Sequence, residues 1–104
     1  MAKFRFSHRA EADLLGIAVY TLRTWGETQT TRYIDDVEKC CQMLAVKPKL
    51  GRAFDNVHPG LRRMECGQHV VFYREDRDGI LISRILHKSM LPERHTVDDE
   101  GDQA

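Results

Sequence analysis

Nowhere in this sequence do about 18 apolar residues run together, so it holds no candidate transmembrane helix. The opening residues Met1-Ala2-Lys3-Phe4-Arg5-Phe6 also lack the apolar core of a secretory leader, and a cytoplasmic protein is expected. Cysteine is scarce and odd in number, with Cys40, Cys41 and Cys66 alone. None of the zinc-ligand spacings occurs, so no metal centre is expected. Buried, reduced thiols packing as small apolar side chains are the expectation for all three. Internal repeats, low-complexity segments and a second hydrophobic unit are absent as well, which leaves a single domain in the 104 residues.

An excess of one charge is also missing. The formal net charge is +0, with charged residues at 31% and hydrophobic residues at 41%, the balance of a globular protein. The charge is unevenly spread, however. Between Lys47 and Arg74 stand Lys47, Lys49, Arg52, Arg62, Arg63 and Arg74 against Asp55 and Glu65. From Glu93 onward, Glu93, Asp98, Asp99, Glu100 and Asp102 face only Arg94. A basic middle suits an anionic partner, or a tail folding back on it. For residues 93–104 the composition favours a disordered acidic tail, which bounds the folded domain at residues 1–92.

What is present is a clear alternation of periods. Lys3 to Phe6 alternates basic and aromatic residues as a short strand with Phe4 and Phe6 on its buried face. Ser7 is a candidate N-cap, and Glu11 falls in the first turn, where the helix dipole favours a negative charge. Ala10, Leu14, Ile17, Ala18, Thr21 and Trp25 form one amphipathic stripe, with Trp25 expected in the core and Gly26 ending the helix. A second helix is expected to start near Glu27 to Gln29. Its stripe is Tyr33, Ile34, Val37, Cys40, Cys41 and Leu44, and Pro48 stops it. The short link predicts a helical hairpin that needs a sheet to cover its stripes.

Pro48 to Gly60 is expected to be loop, followed by a strand over Leu61 to Cys66. Two further strands flank the charged tip Glu75-Asp76-Arg77-Asp78-Gly79, a hairpin signal. The last strand carries Ile80, Ile82 and Leu86 on one expected face and Leu81 and Ile85 on the other. A strand apolar on both faces is a central one. The order is therefore β-α-α-β-β-β, an α+β arrangement.

The ordered set of residues resembles the ParE toxins of the RelE/ParE toxin–antitoxin superfamily. The set comprises Phe6-Ser7 with Ala10-Glu11-Ala12-Asp13-Leu14; Ile17 and Tyr20; Trp25-Gly26 and Gln29; Tyr33; Pro48 with Leu50-Gly51-Arg52; and Pro59-Gly60-Leu61-Arg62. It continues with Gly67, His69-Val70-Val71-Phe72-Tyr73-Arg74, and Arg84-Ile85-Leu86-His87 with Met90. The resemblance spans roughly Phe4 to Met90. It implies a helical hairpin on a small antiparallel sheet and a neutralising ParD-like antitoxin, a ribbon-helix-helix protein whose C-terminal segment wraps the toxin. It also implies DNA gyrase as target, with no cofactor, no membrane and no sequence-specific nucleic-acid binding.

The RelE branch of the same superfamily implies the alternative, cleavage of mRNA on the ribosome. That chemistry needs proton transfer and cations for the phosphate. Histidine as a residue type suits proton transfer near neutral pH and arginine suits a phosphate, so His87 and Arg84, Arg62 and Arg63 are the candidates for those roles. Three features favour the ParE branch: Lys88 follows His87 where the RelE branch commonly places a Tyr; the chain is neutral where ribosome-dependent nucleases tend to be basic; and the Trp25-Gly26 and Arg84-to-Met90 patterns are ParE-like. No catalytic residue is then expected. Arg62, Arg63, His69, Arg84, His87, Lys88 and Met90 are instead candidate partner contacts. Arg84 is equally suited to satisfying a nearby carboxylate, and His69 to hydrogen bonding at the start of its strand. A homologue that only binds antitoxin without toxicity is a third possibility. Deleting Val97 to Ala104 is expected to leave the melting temperature unchanged; a drop of several degrees would show that the tail packs.

Overall fold

The computed structural model describes residues 2–89, so Met90 and the acidic tail lie outside the described residues. Strand β1, Lys3–Phe6, exposes its two basic residues and half-buries Phe4 and Phe6, whose rings meet edge to face at 5.5 Å. Ser7 then caps helix α1, His8–Trp25, by accepting from the Ala10 N–H at 3.1 Å. The same hydroxyl donates to the Ser83 carbonyl at 2.8 Å and so ties the helix start to the last strand. Ala10, Ile17 and Thr21 are buried, and the Thr21 hydroxyl is accommodated by donating to the Ile17 carbonyl at 2.7 Å.

Gly26 alone separates the two helices. Its φ of 90° and its N–H bond to the Leu22 carbonyl end α1, and Glu27 begins α2, Glu27–Val46. Val37, Cys41, Leu44 and Ala45 are its buried residues, and Lys47, turned out of the helical region before Pro48, ends it. A 3₁₀ turn at Pro48–Leu50 and a two-residue strand β2, Arg52–Ala53, occupy the region expected to be loop. Tyr73 explains the turn. Its fully buried ring brings a hydroxyl that donates to the Pro48 carbonyl at 2.7 Å and accepts from the Gly51 N–H at 2.8 Å.

Strands β3, Arg62–Cys66, β4, His69–Asp76, and β5, Gly79–His87, complete a sheet of order β1-β5-β4-β3-β2. As expected, β5 is central. The sheet is mixed, which corrects the expectation of a wholly antiparallel one: β2 to β5 run antiparallel, but β1 pairs with β5 in parallel. The parallel pair depends on Gly79, because a Cβ there would collide with the Lys3 backbone that lies against it.

The face assignment of β5 also needs correction. Phe72 opposes Arg84 while Tyr73 opposes Ile82, so Ser83 is an extra, bulged residue. The bulge inverts the alternation. Ile85 joins Ile80 and Ile82 against the helices, and Leu86 joins Leu61, Val70 and Phe72 beneath Phe54 on the opposite face.

Beyond Phe6, β1 no longer pairs with β5, and Asp13 of α1 takes its place. The Asp13 carboxylate accepts from the Ile85 N–H at 2.9 Å and from Arg84 Nε and Nη2 at 2.8 and 3.0 Å. Both side chains are largely buried. Asp13→Ala is expected to cost about 3 kcal/mol, because it removes the bidentate carboxylate from a largely buried guanidinium and the acceptor from a strand N–H together. Asp36→Ala on the exposed face of α2 is expected to cost less than about 0.5 kcal/mol. Urea unfolding of the two variants against wild type checks the contrast.

Candidate functional site

Between the helical hairpin and the ends of β4 and β5 lies an open groove of about 820 Å³. Ile17, Tyr20, Thr21 and Trp25 line it from α1, Gln29 and Tyr33 from α2, and Gln68, His69, Leu86, His87 and Ser89 from the sheet end. Trp25 is 68% exposed and Tyr20 67%, so Trp25 is a groove residue, which corrects the expectation that it is core. The α1 stripe continues one turn beyond the part that the sheet covers. Thr21 is the last buried position on it. Large exposed aromatic side chains flanking a groove suit a partner surface better than a solvated one.

The polar end of the groove is a linked set. The Tyr33 hydroxyl accepts from the Gln68 N–H at 2.9 Å and lies 2.6 Å from His69 Nδ1. The same hydroxyl donates to the Cys66 carbonyl at 3.5 Å, and burial raises its pKa, so the phenol keeps its proton. Gly67, at φ 65°, lets the turn pass beneath this ring; a Cβ there would press on Tyr33. His69 faces His87 across the β4–β5 pair, with ring centroids 5.2 Å apart and edge to face. Ser89 donates its N–H to His87 Nδ1 at 3.1 Å.

The remaining candidate residues are dispersed. Arg84 is committed to Asp13, in the carboxylate-satisfying role considered from sequence. Arg62 donates to the Gly51 carbonyl at 2.7 Å. The Arg63 guanidinium lies 5.5 Å from the Phe54 ring centroid and 5.9 Å from that of Phe72, on the sheet face away from the helices. In register, Arg62 opposes Tyr73, whereas Cys66 opposes His69, so Arg62 sits four residues from the histidine end, about 13 Å of strand. Lys88 makes a loose surface pair with Glu65 at 3.6 Å, and Met90 lies outside the described residues. His87 and the three arginines therefore do not gather around one point. No metal-binding group of three ligands occurs among the described residues, and none of their helices is long and apolar enough to cross a membrane.

The family model for the ParE toxin of the type II toxin–antitoxin system parDE matches residues 4–92. The chain belongs to the ParE toxin family. A relative named Toxin ParE1 from Caulobacter vibrioides is 38% identical over 95 residues, covering 91% of this chain and 98% of the relative. Toxin ParE1 from Mycobacterium tuberculosis is 32% identical, covering 90% and 97%. Toxin ParE from Escherichia coli is 35% identical over 91 residues, covering 86% and 88%. The fold matches a solved chain described as the chromosomal ParDE system from P. aeruginosa, with a TM-score of 0.70 at 21% identity over 84% of this chain and 96% of that one.

In this ParE chain, Tyr20 was legible from sequence only as a member of a residue set, and Tyr33 and Trp25 as members of that set and of their helical stripes, with Trp25 expected in the core. Nothing in the helical period marks where the covering sheet stops. One consequence of the site is a pH dependence. Burial and the neighbouring His87 lower the His69 pKa, with Asp13 partly opposing them. The folded state then binds the His69 proton less readily than the unfolded chain. The stability is complete above the ordinary value near 6.5 and declines as the pH falls below it. Melting curves from about pH 8 to about pH 5 should show this decline, and His69→Gln should flatten it.

Proposed function

We propose that this chain is a growth-inhibiting toxin that binds DNA gyrase, stabilises its cleaved-DNA complex, and is neutralised by a ParD-like antitoxin. The action is inhibition by binding and not catalysis. The observation that carries this choice is the dispersal of the candidate nuclease groups. Arg84 is spent on Asp13, Arg62 on a backbone carbonyl, and His87 is held by Ser89 at the far end of the sheet. A phosphodiester-cleaving site needs its proton carriers and cations on one phosphate. Family membership supports the toxin role, and gyrase as target places the action in the cytoplasm.

The groove supports the antitoxin reading. Its length along α1 suits an amphipathic helix with anchors at i, i+3, i+4 and i+7, packed on Trp25 and Tyr20. His69, His87 and Ser89 would meet the polar end of such a segment, and the short edge strand β2 leaves room for strand addition at the opposite side. The partner contacts are therefore proposed chiefly at the groove, with Arg62 and Arg63 outside it.

Purified protein at micromolar concentration is expected to inhibit supercoiling and to increase cleaved DNA in a gyrase assay. Ribosome-dependent mRNA cutting without any effect on gyrase would overturn the proposal. His87→Ala should lower activity far less than the roughly 10²–10⁴-fold loss expected when a general base is removed.

A further inference from the structure

We propose that Cys40 and Cys66 form a reversible thiol–disulfide site, which locks one wall of the groove to α2 when oxidised and releases it when reduced. The structure joins these two residues in a disulfide with Cα atoms 6.2 Å apart, which overturns the expectation of reduced thiols at both positions. Only Cys41 remains a buried thiol. Sequence spacing hid the pair because 26 residues separate its members. Strand β3 simply ends where α2 passes over it.

The position of the bond gives it a consequence. Cys66 is the last residue of β3, directly before the Gly67-Gln68 turn that leads into His69. This turn is a wall of the groove. Without the bond, Tyr33 is the side chain that ties the wall to α2, through its contacts with Gln68 and His69. The disulfide lies two helical turns from Tyr33 and adds a covalent tie in parallel with those hydrogen bonds. Oxidation therefore holds the groove at one width, and reduction leaves that width to the Tyr33 hydrogen bonds and the apolar packing around them.

The chemistry is confined to the pair. Cys40 is the more exposed member of the pair, partly buried where Cys66 is buried, and is therefore the side from which a small disulfide would approach. Its neighbour Cys41 is fully buried and its thiol is pushed up to about 12, so it supplies no thiolate to scramble the bond. With glutathione disulfide as oxidant, the Cys40 thiolate attacks one glutathione sulfur and expels a glutathione thiolate. The Cys66 thiolate then attacks the Cys40 sulfur of the mixed disulfide and expels the second. Two electrons pass from the cysteine pair to glutathione, and the two cysteine protons end on two glutathione thiols. Disulfides in proteins of reducing compartments are commonly of this exchanging kind.

The test uses the full chain equilibrated in glutathione buffers of graded ratio. Alkylation and mass spectrometry should find a Cys40–Cys66 link that forms and disappears reversibly with the ratio. Amide exchange at Gly67, Gln68 and His69 should be about 10-fold or more faster in the reduced protein, and the melting temperature lower by about 10 °C. Cys40→Ser and Cys66→Ser should show the fast exchange in every buffer, and Cys41→Ser should still switch. A link that persists or is absent throughout the glutathione range overturns the proposal. So does exchange at the turn that is the same in both states. These measurements read the chain alone, so they stand or fall separately from the gyrase assay.

Discussion

One carboxylate sets the geometry on which the rest depends. Strand β5 loses its β1 neighbour after Ile82, just where the chain has turned into α1, and Asp13 supplies what the missing strand would have. It satisfies the Ile85 N–H and clamps Arg84 in the same contact. An unsatisfied strand N–H and a buried guanidinium are each costly, so α1 is held at one angle and height above the sheet. That placement decides how far the helix overhangs, and with it where Trp25 and Tyr20 emerge. The groove is in this sense a consequence of how an exposed sheet edge is satisfied.

The same contact bears on chemistry. An arginine fixed in a bidentate carboxylate pair is poorly placed to receive a phosphate, since the incoming anion must displace a charged, desolvated partner. Two arginines of the basic middle are similarly engaged, with Arg62 bracing the Gly51 turn and Arg63 lying on two aromatic rings. Arg62, Arg63 and Arg84, which suit a phosphate by residue type, each brace the fold through these contacts. Away from these contacts lies an accessible aromatic groove with a histidine-lined end, which suits recognition.

The histidine end joins three elements through one tyrosine. Tyr33 projects from α2, crosses Gly67, and holds the β3–β4 turn at Gln68 and His69. The Cys40–Cys66 bond runs beside it. Proton uptake at His69 and electron transfer at the cysteine pair therefore act on the same short turn. A binding surface built at the end of a sheet is held by few contacts, so small chemical changes there reach its shape.

The sequence by itself determined the two helices, the four longer strands and most of their limits, but not the 3₁₀ turn and β2 between Pro48 and Ala53. The period of α1, the Ser7 cap, Gly26, Pro48 and the Asp-Gly tip each act through neighbouring residues, and the structure keeps all of them. The family's residue set was legible for the same reason, being an ordered string. Tertiary structure alone decided the parallel pairing of β1, the inversion of β5 at Ser83, the exposure of Trp25 and the joining of Cys40 to Cys66. Each depends on contacts between residues far apart in the chain, as in the 71-residue separation of Asp13 and Arg84. A periodic stripe states which face of an element is apolar. It does not state how far the partner extends or which distant side chain completes the contact, and the groove is made of those two facts.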